Sequence, residues 1–391
     1  VIAAREWRGV GAIATSLRSH DKASQGEIVT SVSENVILNR RLGEVAAMLL
    51  EFDEDQRLWQ GTVRDVVGKQ CSPSLVRRVV EGAVGETDGE AEPLVDSLWK
   101  VYVDLGWTEL HEPETAVELA IVLEELGRAT DPTPFLATMT QFAPLAGEHH
   151  NPDGSTGAAV FSGVTAHRNA GGWVLDGTAL HVLDGDRADR LAVVTAAGVF
   201  LVDAGAVTTR KAAVFDPTLH VSDVSFAGVE VPDSARIRGR ASVERARAVA
   251  LSGMAMTTVG ACQRILDLAL EHVRSRQQFG VPIGSFQAVQ HKAADMHVAI
   301  ERARALAYFA ALTIAVDDPR RRMASAMAKA AAGECQSVVF RHGLQLFGAM
   351  GFTWENDLQF ALKRAKAGEL MLGGAAQHRA AIAEEYLAAR I

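Results

Sequence analysis

The sequence predicts a mainly α protein with a β domain in its middle: an N-terminal helical domain, a central antiparallel β-barrel and a C-terminal four-helix bundle. Three observations carry this expectation. Helical periodicity fills residues 48–150. Short strand-like runs punctuated by Gly fill 151–237, and long helical periods fill 238–391. The length, 391 residues, suits two or three packed lobes. Ala is abundant and aromatics make up only 6%, which favours helix. Residues 1–47 stand apart as a leader or linker of uncertain fold, whose end runs into the helical period of VSENVILNRRLGEVAAMLLEF.

In the first domain, DEDQRLWQGTVRDVVGK puts Leu58, Val63, Val66 and Val67 on one helical face, with Asp53 as N-cap. TAVELAIVLEELGRATDPTPFL reads as a strongly apolar helix closed by Gly127, with Pro132 and Pro134 beyond it. The β domain is read from GAAVFSGVTAH, GGWVLDGTALHVL, DRLAVVTAAGVFLVDA, KAAVF and LHVSDVSFAGVEV, which are short, β-branched and divided by Gly and Asp turns. In the bundle, SVERARAVALSGMAMTTVGACQRILDLALEHVRSR is the first helix. The second, FQAVQHKAADMHVAIERARALAYFAALTIAV, carries Phe286, Val289, Ala293, Met296 and Ile300 at helical spacing. RRRMASAMAKAAAGECQSVVFRHGLQLFGAMG and GELMLGGAAQHRAAIAEEYLAAR complete the four.

The net charge of −9 argues against a nucleic-acid binder but leaves room for a local basic pocket. The cysteines, Cys71, Cys262 and Cys335, are odd in number and far apart, which fits reduced thiols in the cytoplasm. No apolar run reaches the roughly 18 residues of a membrane span. The first residues have charges scattered through their apolar stretch and make a poor signal peptide. His149 and His150 lack a second ligand pair at metal-site spacing. GSTG at Gly154 has no following Lys and is no phosphate loop. Arg320, Arg321 and Arg322 read as a solvated turn, and Met254, Met256 and Met350 as apolar packing.

Three segments carry a family resemblance over roughly residues 48–391. RSRQQFGVPIGSFQAVQHKAADM, Arg274 to Met296, resembles the RxQFG…FQxxxHxxAdM signature of the acyl-CoA dehydrogenases. HGLQLFGAMGFTWENDLQFALKRAKA resembles their QxxGGxGft segment, and VLEELGRATDPTPFL the end of their first helical lobe. The resemblance implies FAD as cofactor and acyl-CoA as substrate. It implies that Arg276 meets the flavin dinucleotide's pyrophosphate, with Gln278 beside it and Phe279 near the adenine. Gln345 then meets the adenosine side, and Gly348 and Gly351 admit close backbone approach. In the family most of these groups reach a neighbouring subunit's flavin, so an oligomer is implied. His291, inside the signature, faces either the flavin or a helix hydrogen bond.

The sequence departs from the family where the chemistry needs a carboxylate to take the α-proton. The usual C-terminal glutamate falls on Leu372 and its first-helix alternative on Ala250. Leu372 offers only a backbone N–H. The substitute carboxylates are Glu369, about one helical turn from Leu372, and Glu244 near the start of the first bundle helix; both also read as solvated helix charges. The TEPxxGSD stretch has no counterpart around EHHNPDGSTGAAV, and Trp-x-Thr becomes His181-Val182-Leu183. The family's C-terminal cofactor glutamine falls on Ala376, with Gln377 next to it. The chain thus keeps residues that reach into a neighbour's site and lacks those that build its own. This implies one half of an unequal pair, an α2β2 complex or a tandem fusion, of the kind that acts on bulky substrates such as sterol side chains. A non-catalytic partner of an active dehydrogenase and a flavin monooxygenase of the same fold remain alternatives.

Overall fold

A computed structural model describes residues 52–85, 91–237 and 243–388; the expected leader, residues 1–47, lies outside them. Helix α1 (Glu54–Gln70) begins where the sequence places its cap: Asp53 Oδ1 accepts from Gln56 N at 2.8 Å, and the Gln56 side chain returns to Asp53 N. Val63 and Val67 are buried, but Leu58 is 64% exposed. Five residues separate Leu58 from Val63, which turns it about 140° away around the helix. Helix α2 (Pro73–Ala83) starts on a proline, and α3 (Glu92–Asp104) packs Trp99 and Tyr102 against Trp107 and Phe135.

Helix α4 (Ala116–Ala129) runs past Gly127, the expected terminator, and ends at Thr130 with φ +60°. Gly127 has another task. A Cβ there would lie 2.2 Å from the Thr257 carbonyl oxygen on helix α5 (Val243–Ser275). Gly260 on α5 answers it, since its Cβ would lie 1.9 Å from the Glu124 carbonyl oxygen. The two helices cross in backbone contact because both lack side chains there. Two carboxylates are buried in this apolar helix. Glu124 accepts from Arg304 (2.8 Å) and Tyr308 (2.8 Å), and Glu125 accepts from Arg64 (2.6 Å).

The β domain holds β1 (Gly157–Val160), β2 (Val164–Asn169), β3 (Gly172–Leu183), β4 (Arg190–Thr195), β5 (Gly198–Asp203), β6 (Thr208–Lys211) and β7 (Val221–Val231). They form two sheets, ordered β1-β4-β5 and β2-β3-β7-β6. Every pairing is antiparallel except β1 with β4. Leu175, Leu191, Phe200 and Val224, all 0% exposed, fill the space between the sheets. The run KAAVF contributes only Lys211 to a strand, and Phe215 stands 53% exposed. The register of β3 against β7 slips between Ala179 and Val182, and His181 inside the slip has φ +57°.

Helix α5 leads through a two-residue hairpin, β8 (Gln277–Gln278) and β9 (Val281–Pro282), to α6 (Gln287–Ala315) and α7 (Arg321–Phe347). The fourth expected helix is two: α8 (Leu358–Leu370) and α9 (Ala375–Ala388), broken over 371–374. Leu372 (φ +57°) and Gly373 (φ +94°) make the break. The helices before and after the β domain share one apolar core, to which Leu183, Leu219 and Val221 also belong.

One buried cation ties these parts together. Arg364 of α8 donates through Nε to Asp216 (2.7 Å) and through Nη2 to Thr218 Oγ1 (2.7 Å) and the Asp131 carbonyl (2.7 Å). Asp131 follows α4, and Asp216 and Thr218 precede β7. The Asp131 carboxyl is pushed up by burial, opposed by hydrogen bonds from Thr133 and the charge of Arg364. Replacing Arg364 by Leu leaves Asp216 buried without its cation. We expect a loss of about 3–5 kcal/mol in urea unfolding, and a much smaller loss when Asp216→Leu is added. Gly260→Val forces a side chain into backbone and is expected to cost about 3 kcal/mol or more, or to leave the protein insoluble on expression.

Candidate active site

A cavity of about 540 Å³ lies where three elements meet: the β3 slip, the π-helical turn Thr138–Phe142 and the 371–374 break. Val182, Leu183, Leu219, Val221, Leu370, Met371 and Leu372 make it largely apolar. Its polar side chains are Gln141, Ser162 and His181. The Gln141 side-chain nitrogen is buried and has no hydrogen-bond partner. Among the described residues no Asp or Glu lines the cavity.

The break is held from behind. Lys329 of α7, 0% exposed, donates Nζ to the carbonyls of Glu369 (3.0 Å) and Gly373 (2.7 Å). His378 of α9 donates Nε2 to the Leu372 carbonyl at 2.9 Å. Burial lowers the Lys329 ammonium to about 8, with the charge of Glu369 opposing. Burial likewise lowers His378, although its hydrogen bond to Leu372 works the other way.

The residues expected to supply or replace the base are spread out. Leu372 lines the cavity. Ala250 is buried within α5 and Glu244 lies in the first turn of that helix, its carboxylate 3.2 Å from Arg321; neither lines the cavity. Glu369 also stands outside it, ion-paired to Lys366 at 2.9 Å. In the His181-Val182-Leu183 triplet, the two apolar side chains are buried in the cavity wall. The His181 N–H donates to Asp223 at 3.2 Å.

The expected cofactor residues gather at one end of the bundle. Arg276, Gln278 and Phe279 sit on the α5–α6 hairpin and are exposed, Phe279 to 92% with φ +54°. The hairpin is pinned by Ile283 N to the Arg276 carbonyl (2.8 Å) and by Arg276 N to the His272 carbonyl (2.8 Å). His272 stacks on Phe347 with centroids 4.5 Å apart, which sets the hairpin beside the end of α7. Gln345 and Gly348 line a second, open cavity of about 930 Å³ there, with Arg341, Ser337 and Gln336. The Arg341 side chain, exposed on α7, makes no hydrogen bond or ion pair among the described residues. The two cavities adjoin, sharing Phe215 and Leu370. Gly348 (φ +60°) has open space where a Cβ would stand, whereas at Gly351 a Cβ would meet Phe347 at 3.1 Å. Gly348 is thus the accessible glycine, and Gly351 a packing contact. Gln377 folds over Gly373, where a Cβ would meet its Oε1 at 2.7 Å, and His291 is exposed on α6.

Arg364, Lys329, His378 and Gln141 escaped the sequence reading. A lone lysine inside the small-residue run AMAKAAAGE was a usable signal, because an unpaired charge among alanines asks for a buried partner. Among the described residues no group of three or more His, Cys, Asp or Glu is placed to hold a metal, no helix is long and apolar enough to cross a membrane, and all three cysteines are free and buried.

The sequence model of the acyl-CoA dehydrogenase C-terminal domain matches residues 239–387. The acyl-CoA dehydrogenase IpdE2 of Mycobacterium tuberculosis is 32% identical over 330 residues, 82% of this chain and 93% of the relative. IpdE2 of Mycolicibacterium smegmatis is 30% identical over 331 residues, 82% of this chain and 96% of the relative. Among solved structures, the ChsE4–ChsE5 complex from Mycobacterium tuberculosis superposes with TM-score 0.76 at 24% identity, covering 86% of this chain and 98% of that one. A glutaryl-coenzyme A dehydrogenase bound to glutaryl-CoA gives 0.75 at 21% identity, covering 86% and 96%. The structural likenesses show a common fold, and the two IpdE2 relatives, both at 30% identity or more, are matched over 93% and 96% of their own length. The chain belongs to the acyl-CoA dehydrogenase family.

Proposed function

We propose that this chain is a subunit of a flavin-dependent acyl-CoA dehydrogenase that completes its chemistry with a partner subunit. The reaction removes a proton from Cα of an acyl thioester and a hydride from Cβ. When bound, FAD supplies the hydride acceptor. The observation that carries the reading is the cavity at the 371–374 break. Leu372, on which the family's catalytic glutamate falls by sequence, lines it, and among the described residues no carboxylate does. A leucine can wall an acyl chain but cannot take a proton.

The bundle end suits the outer part of a dinucleotide. It offers a permanently charged guanidinium at Arg276, carboxamides at Gln278 and Gln345, an exposed ring at Phe279 and an unhindered backbone at Gly348. All but the glycine face outward as side chains, so a flavin seated mainly on a neighbouring subunit is the fitting ligand. In this chain's own cleft, Gln141 is, among the described residues, the one buried donor left unpaired, and it is suited to orient a carbonyl or a ring oxygen. The partner then provides the base. Relatives of known structure include the paired ChsE4–ChsE5 complex, which supports a heteromeric arrangement. The same carboxylate-free cavity also favours a second reading, a non-catalytic partner that lends only its bundle end.

Purified alone, the chain is expected to carry little flavin absorbance, and co-expression with its neighbouring acyl-CoA dehydrogenase subunit to yield a yellow complex. A fully yellow isolated chain that bleaches with acyl-CoA would overturn the proposal. In the complex, Arg276→Gln is expected to weaken flavin retention at least tenfold with an unchanged far-ultraviolet spectrum, since Arg276 is exposed; unchanged flavin content would remove Arg276 from the cofactor site.

A further inference from the structure

Lys329 is the most deeply buried cation of the bundle, and nothing in the proposed chemistry uses it. It is 0% exposed, yet among the described residues no carboxylate pairs with it: the Glu369 carboxylate turns to Lys366 instead. Both of its hydrogen bonds go to backbone carbonyls, of Glu369 and Gly373. Those carbonyls bracket Leu370, Met371 and Leu372, and all three side chains line the 540 Å³ cavity. A helix that ends in the interior leaves carbonyls without partners, and a cation is the strongest donor available to them. Burying an ammonium is costly, so a lysine here does what an apolar side chain of that length could not.

The surroundings are built around the same turn. Leu372 sits at φ +57°, a conformation an L-residue holds only under constraint. His378 holds the Leu372 carbonyl from the opposite side. At Gly373 a Cβ would lie 3.1 Å from His378 Nε2, and at Gly374 one would lie 2.9 Å from Glu369 Oε1. At Gly333, one turn beyond Lys329 on α7, a Cβ would come within 3.1 Å of Ala375 Cβ and 3.2 Å of Glu369 Cγ. Three glycines thus let α7 and α9 close on the break, and Lys329 and His378 clamp it.

We propose that Lys329 is a positioning residue for the acyl-binding cavity: by bridging the carbonyls of Glu369 and Gly373 it holds Leu372 in its left-handed conformation and sets the wall formed by Leu370, Met371 and Leu372. His378 is the second jaw of the clamp. The inference rests on the acyl-CoA reading of the cavity. It concerns the acyl group and not the nucleotide part of the thioester, because the clamped side chains are apolar.

The test is calorimetric binding of octanoyl-CoA and of free CoA to the full chain. Wild type is expected to bind octanoyl-CoA more tightly than CoA. Lys329→Met is expected to lose at least tenfold in octanoyl-CoA affinity while CoA affinity stays within twofold, and Lys329→Arg to recover part of the loss. His378→Gln, on the more exposed helix, is expected to lose about threefold in the same selective way and serves if Lys329→Met does not fold. Variants that keep the wild-type ratio, or lose both ligands equally, overturn the positioning role. A wild-type chain that does not distinguish octanoyl-CoA from CoA overturns the acyl-CoA reading itself.

Discussion

The Arg364 guanidinium is the point on which the three parts of the molecule converge. It is 4% exposed, and its partners come from the end of α4 and from the segment before β7, 233, 148 and 146 residues away in the chain. A buried charge of this kind is tolerated when it is paired and hydrogen-bonded, here through Nε and Nη2, and so it fixes the relative placement of what it touches. The cavity is a consequence. Its walls come from β3, from the turn after α4 and from the segment after α8, the elements that Arg364 and its partners join.

Close helix packing supplies the rest of the frame. Helix α5 meets α4 through Gly127 and Gly260, and meets α8 at Gly368, where a Cβ would lie 2.1 Å from Thr258 Oγ1. Small residues trade side-chain burial for backbone proximity, which makes these crossings specific and intolerant of substitution. The bundle end follows from the same geometry, because α5 runs straight into the hairpin that carries Arg276, Gln278 and Phe279.

Much of this was legible from local pattern. The Asp53 cap, the strand runs and the long bundle helices rest on short-range periodicity and capping, and the structure has them. The RQQFG segment was legible as a motif, whereas its folding into the β8–β9 hairpin was not read. What escaped was set by distance or by tertiary use. Gly127 looked like a terminator because glycine usually ends helices, but a neighbouring backbone needed the space. Leu58 was misplaced by one turn's arithmetic. The break in the last helix was written in Gly373 and Gly374, yet those glycines sat inside a convincing helical period. Arg364, Lys329 and His378 act through partners remote in sequence or through backbone atoms, and neither leaves a motif.

The account's central claim is that this chain's own cleft, which among the described residues holds His181 but no carboxylate, does not take the α-proton. Exchange of the α-hydrogens of octanoyl-CoA with deuterium oxide, followed by NMR on the isolated chain supplied with FAD, tests it most directly. The account predicts no exchange above the rate in buffer, and exchange once the partner subunit is present. Rapid exchange by the isolated chain would mean that a base acts in this cavity, and the division of labour between subunits would be wrong.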